Sequence, residues 1–147
     1  MTGTNIEVQS THHGGRPESQ MHRARSRTGT AVSVRTTHGR ADYIYVGNRR
    51  WGGPVDHEEA AALLDQLGEA ISVAEDPNTE GATRYFRART PAGTSVSVRM
   101  NRPVLRQPEY TGGGIDYVRV GSGAWGGSIT HEAAAALHAC LRTALSA

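Results

Sequence analysis

The segments Asp42-Tyr43-Ile44-Tyr45-Val46-Gly47, Trp51-Gly52-Gly53 and His57-Glu58 return as Asp116-Tyr117-Val118-Arg119-Val120-Gly121, Trp125-Gly126-Gly127 and His131-Glu132. The offset is a constant 74 residues, and both sets run on into an Ala/Leu-rich stretch. From Asp42 to Ile71 the match has no gap, and about half of its positions are identical. A repeat of this size constrains the fold more than any other feature. Each copy spans roughly 45 to 60 residues, and a unit that short has a marginal core when alone. Two such copies are therefore expected to share one core about a pseudo-twofold axis.

Within each copy the hydrophobic periodicity changes from two to three or four. Thr30 to Arg35 alternates small or polar residues with valine and reads as a strand, as does Thr94 to Arg99. Asp42 to Gly47 and Asp116 to Gly121 form the second strand of each copy, with Ile44 and Val46 on one face and Tyr43 and Tyr45 on the other. The Trp-Gly-Gly segments read as a turn or as a short third strand. Asp56 then stands as a helix N-cap, with Glu59 at the capping-box position. Leu63, Leu67 and Ile71 form the buried stripe of a helix from His57 to about Ser72. Thr130 caps the second helix, which carries Leu137, Leu141 and Leu145 to about residue 145.

The expected fold class is α+β: a tandem hairpin- or meander-plus-helix unit, an antiparallel sheet of four to six strands, and two helices on one face. Residues 1–26 are polar, poor in large apolar side chains, and read as a disordered tail ending in the basic cluster Arg23, Arg25 and Arg27. Removing residues 1–22 is expected to leave the melting temperature nearly unchanged. Residues 27–72 form the first repeat, 73–83 a linker, and 84–147 the second repeat. The second hairpin has a loop at 100–115 that is ten residues longer than its counterpart, with Pro103, Pro108 and three consecutive glycines.

Composition excludes several chemistries. All 16 basic residues are arginine, as a high-GC source would favour. The absence of lysine removes the Walker-A phosphate loop and Schiff-base catalysis. The one cysteine, Cys140, excludes an internal disulfide framework, and it falls beside Leu137 and Leu141 as a small buried hydrophobe. No apolar run is long enough to span a membrane, and the N-terminus lacks the apolar stretch of a secretory signal. The expectation is a cytoplasmic protein with no membrane partner. Charge is uneven. Residues 31–75 hold four arginines against seven acids, and residues 76–147 hold eight against five. This imbalance would help the copies attract each other.

His57-Glu58 and His131-Glu132 begin like a zinc-protease helix, but Ala61 and Ala135 stand where the second histidine ligand is required. No metal or cofactor is expected. Neither a nucleophile-elbow sequence nor a hydrolytic acid pair is present, so the chain reads as a non-enzymatic binding protein.

Strand parity supplies the candidate site. If the valines face the helices, the other side carries Ser33, Arg35, Tyr43 and Tyr45 in the first copy and Ser97, Arg99, Tyr117 and Arg119 in the second. Flat phenol rings and guanidinium planes stack on bases, and arginine charge meets phosphate. Arg23, Arg25 and Arg27 add a basic arm, and Arg84-Tyr85-Phe86-Arg87 points the same way. DNA or RNA is the expected ligand. The competing reading is a protein-interaction or self-association module using the same face or the 100–115 loop. For the fold itself, Leu67→Ala and Leu141→Ala are each expected to lower the urea unfolding free energy by about 2–5 kcal/mol through cavity formation. Near-neutral shifts would mean that the helices do not face a core.

Overall fold

Alternating valine and isoleucine build strands as expected, and pairing adds strands that the apolar pattern does not announce. A computed structural model of the protein describes residues 6–12, 18–47, 51–79, 81–102, 114–121 and 125–146. The first sheet takes β1 (Gln9–His12), β2 (Ser19–Arg25), β3 (Ala31–Thr37), β4 (Arg40–Val46) and β5 (Trp51–Pro54), in that spatial order. Helix α1 (His57–Ala74) and a short 3-10 turn at Pro77–Thr79 lead into the second sheet. This sheet is formed by β6 (Thr83–Arg89), β7 (Ser95–Asn101), β8 (Gly114–Val120) and β9 (Trp125–Ser128), again in order, and α2 (His131–Ser146) follows. Every pairing is antiparallel. The class is α+β, with two sheets of five and four strands and one helix on one face of each.

The helices are exchanged between halves. Helix α1 lies on β6, β7 and β8, and α2 lies on β2, β3 and β4. The cause is visible in the connections. Strands β5 and β9 are the inner edges of their sheets and pack against each other. Only Val55 and Asp56 separate β5 from α1, and only Ile129 and Thr130 separate β9 from α2. Each helix therefore starts at the seam and crosses it. Leu63 and Leu67 of α1, and Leu137, Cys140 and Leu141 of α2, are fully buried in one continuous core with Val32, Val34, Ile44, Val96, Val98 and Val118. The capping box of α1 forms as its sequence requires: Glu59 N–H donates to Asp56 Oδ1 at 2.7 Å, and Asp56 N–H donates to Glu59 Oε1 at 3.0 Å. Ala133 N–H donates to Thr130 Oγ1 at 3.1 Å in α2.

The two Trp-Gly-Gly segments lock the seam reciprocally. Trp51 Nε1–H donates to Ser128 O at 2.9 Å, and Trp125 Nε1–H donates to Pro54 O at 2.8 Å. The ring centroids are 5.8 Å apart. A Cβ on Gly53 would lie 2.6 Å from the Trp125 ring, and one on Gly127 would lie 2.8 Å from the Trp51 ring. Gly52 and Gly126 are bare because a Cβ there would strike the carbonyl oxygens of Ile44 and Val118. Between the helices, Gly68 faces the His138 imidazole, whose Nε2 sits 3.0 Å from the place a Cβ would take. That contact accounts for a glycine inside a helix, where it costs about 1 kcal/mol relative to alanine. Ion pairs contribute little to the docking. Among the described residues Arg35–Asp42, Arg40–Glu58 and Arg99–Asp116 lie within a half, and only His131–Glu75, at 3.5 Å, joins the halves.

The expected tail at residues 1–26 is corrected for Gln9–His12 and Ser19–Arg25, which are strands. They gain order from ladder hydrogen bonds and from a few buried groups rather than from an apolar run. Met21, His22 and Ala24 are buried, and Ile6 and Val8 pack against the core. His22 is held at both ring nitrogens, with Ser10 Oγ 2.7 Å from Nδ1 and Thr36 Oγ1 3.1 Å from Nε2. Residues 103–113 of the long loop lie outside the described residues. Deleting residues 1–22 removes β1 and half of β2. It is now expected to lower the melting temperature by roughly ten degrees or more in a calorimetric scan. An unchanged value would mean that these strands carry no stability.

Candidate nucleic-acid interface on the open sheet faces

Antiparallel register sets the side chains of each helix-free face in rows. In the first sheet, one row runs Met21, Arg35, Tyr43, Pro54, and the next runs Arg23, Ser33, Tyr45, Gly52. In the second sheet, the equivalent rows are Tyr85, Arg99, Tyr117, Ser128 and Arg87, Ser97, Arg119, Gly126. The structure thus places Arg35, Tyr43 and Tyr45 together, and Arg99, Tyr117 and Arg119 together, on two different sheets. Arg23 and Arg25 are exposed on β2, and Arg25 Nη1 donates to Gly29 O at 3.0 Å. Arg27 is exposed in the β2–β3 turn. These three arginines belong to the sheet and its turn, and they do not form a separate arm.

A β-bulge organises each face. Arg35 pairs with Tyr43 and Thr36 with Ala41, so Asp42 is the extra residue; Asp116 is its equivalent between Ile115 and Tyr117. Each bulged aspartate turns to the neighbouring arginine, with Arg35 Nε 2.8 Å from Asp42 Oδ1 and Arg99 Nε 2.8 Å from Asp116 Oδ1. The hydrogen bond to Asp42 raises the already high pKa of Arg35, and the one to Asp116 does the same for Arg99, with Tyr85 adding to it. Both guanidiniums also lie over tyrosines: Arg35 sits 5.3 Å from the Tyr43 ring centroid and Arg99 sits 5.5 Å from that of Tyr117. On its other side, the bulge frees one backbone N–H for the following helix. Ala41 N–H donates to His57 Nδ1 at 3.3 Å, and Ile115 N–H donates to His131 Nδ1 at 3.2 Å. His57 and His131 are thereby explained as anchors of the bulges.

The rings are unequally available. Tyr43 and Tyr45 lean on each other with centroids 4.5 Å apart, and with Tyr117 they are partly buried. Tyr85 is 55% exposed, which makes it the ring most open to stacking among the described residues. Arg87 lies 4.9 Å from its centroid. Tyr85 and Arg87 are the residues that sequence parity left out of the site. The signal that finds them is the match of Arg23-Ala24-Arg25 with Arg87-Ala88-Arg89, which aligns β2 with β6 at an offset of 64 residues. Arg119 is exposed, and so are Arg87 and Arg89. Among the described residues the second face thus offers four arginines against one aspartate.

Elsewhere, the Trp pair has its indole N–H groups committed to the seam, and Trp51 borders a shallow cavity of about 290 Å³ shared with Thr28, Thr30, Ser128 and Thr130. Cys140 is fully buried, and burial pushes its thiol up to about 12, far from a nucleophile's range. Among the described residues no buried side-chain polar atom lacks a partner. No helix among them is long and apolar enough to cross a membrane. No protein-family model, curated protein or solved structure matches the chain.

Burial also lowers the pKa of His22 and of His138, the latter with help from Arg142, below the ordinary value of 6.5. Burial disfavours the charged form of both imidazoles in the fold, so the unfolded chain takes up protons first as the medium is acidified. Their contribution to stability is fully present above about pH 6.5 and is lost as the pH falls toward the folded values. Urea unfolding should therefore show a decline in stability from about pH 7.5 to about pH 5. His138→Leu, which introduces the residue found at Leu64 in the first half, is expected to flatten that decline. An unchanged slope would remove His138 from the account.

Proposed function

We propose that the protein is a non-enzymatic nucleic-acid-binding protein that takes single-stranded DNA or RNA on its Tyr/Arg sheet faces, chiefly the face of β6–β9. The observation that carries this reading is the pair of adjacent rows Tyr85–Arg99–Tyr117 and Arg87–Ser97–Arg119. An exposed ring sits at the outer strand, small serine lies between arginines, and the rows hold three guanidiniums, of which only Arg99 is paired with a carboxylate, Asp116. Tyr85 and Tyr117 would stack bases, Arg87 and Arg119 would neutralise phosphates, and Arg99 would hold the rings in place from its ion pair with Asp116. On the first sheet, Tyr43, Tyr45, Arg35, Arg23, Arg25 and Arg27 would extend the track.

The Arg35–Asp42 and Arg99–Asp116 pairs favour a second reading. Arginines already neutralised and packed on tyrosines suit a protein interface, in which Tyr and Arg are favoured anchors. Salt separates the two, because phosphate binding weakens steeply with ionic strength. Fluorescence anisotropy with labelled single-stranded DNA, single-stranded RNA and duplex DNA, at low and moderate salt, tests the proposal. Tyr85→Ala and Tyr45→Ala are each expected to weaken single-strand binding by about 1–3 kcal/mol. Arg119→Ala should reduce the slope of log affinity against log salt by about 1. No binding at low salt would sink the nucleic-acid reading and turn attention to a protein partner.

A further inference from the structure

The two outer sheet edges are not equivalent. Ser26 N–H donates to Thr30 O across the first hairpin, and Thr90 N–H donates to Thr94 O across the second. Hydrogen-bonded pairs alternate along an antiparallel ladder. Even-numbered residues of β2 and β6 therefore bond inward to β3 and β7. The N–H and C=O groups of Met21 and Arg23, and of Tyr85 and Arg87, point to the outer edge. In the first sheet, β1 occupies that edge, with Thr11 opposite Met21 and Gln9 opposite Arg23. In the second sheet, β6 is the terminal strand, and among the described residues none pairs with it on its outer side.

We propose that the β6 edge is a docking site for an extended acidic peptide segment of a partner protein, which adds to the sheet as an antiparallel strand. Two observations carry this inference. The chain itself seats an extended segment on the equivalent edge, so the geometry accepts a strand there. Strand β6 holds Arg84, Arg87 and Arg89 and no acid, and all three arginines are exposed. That charge also disfavours a second copy as the occupant, since β6 against β6 would bring arginines together. Backbone hydrogen bonds would supply affinity and the arginines would select for carboxylates, as in other strand-addition interfaces. The inference concerns the backbone edge and does not rest on nucleic-acid binding by the face.

The test uses the full chain and a fluorescein-labelled peptide of alternating glutamate and valine, matched to the seven residues of β6. Two control peptides accompany it: one with lysine for glutamate, and one N-methylated at the amides that would face β6. Amide hydrogen exchange is followed at Tyr85 and Arg87. The acidic peptide is expected to bind and to slow exchange at both amides, with N-methylation weakening it by about tenfold or more. Arg87→Glu/Arg89→Glu is expected to reverse the preference toward the lysine peptide. Absence of binding by the acidic peptide, equal binding of the N-methylated peptide, or unslowed exchange at Tyr85 and Arg87 would each overturn the proposal. The exchange readout on the unmodified chain holds even if the charge-reversed variant does not fold.

Discussion

Everything in this molecule hangs on the reciprocal tryptophan lock between β5 and β9. Each indole donates its N–H to a carbonyl of the other half and lays its ring where the other half has glycine. Tryptophan suits the position because it covers apolar surface while keeping a donor for a partner. The lock fixes the two inner sheet edges side by side, and the short connections after β5 and β9 then start both helices at the seam. Once the helices cross, each sheet's apolar face is covered by the other half's helix. Neither half has a finished core alone, so two marginal units become one cooperative one. The seam is held by packing and by hydrogen bonds to backbone. The difference in net charge between the halves is scarcely used.

Most residues that the two halves hold in common serve this frame. Asp42 and Asp116 form the bulges. His57 and His131 accept the backbone N–H groups that the bulges release. Trp51 and Trp125 close the seam, and the glycines beside them make room. The sequence repeat is thus chiefly a record of architecture. What distinguishes one face from the other lies where the halves differ. Position for position, buried Met21 stands where exposed Tyr85 does, and Tyr45 stands where Arg119 does.

How far the sequence could be read follows from which interactions are local. Strand parity was legible because Val32, Val34, Ile44 and Val46 alternate strictly, and the first turn of α1 was legible because a capping box is contained within four residues. The exchange of the helices was not, since the stripe of Leu63 and Leu67 demands an apolar sheet without saying whose. Strands β1 and β2 escaped because their stability comes from ladder bonds and from one buried histidine held by hydroxyls. Gln9–His12 contains no apolar residue at all. Within the candidate site, six residues on alternating strands were readable. Tyr85 and Arg87 were readable only as part of an arginine-bearing segment, because their place on the face depends on the β6–β7 register.

The divergence of the halves bears on where a ligand would bind. In the first sheet the outer edge is covered by β1, the residue beside Arg35 is a buried methionine, and two tyrosines lean on each other. In the second sheet no described residue pairs with the outer edge, the residue beside Arg99 is an exposed tyrosine, and a fourth guanidinium replaces the second ring. His22 of the first sheet, which needs Ser10 of β1 to satisfy one ring nitrogen, is replaced by Phe86, which needs no polar partner. Strand β1 and His22 therefore belong together. A sheet with phenylalanine at that place can leave its edge uncovered without orphaning a buried polar group. Among the described residues the second half meets its burial requirements with fewer strands, and its face carries the more exposed ring and the more exposed guanidiniums.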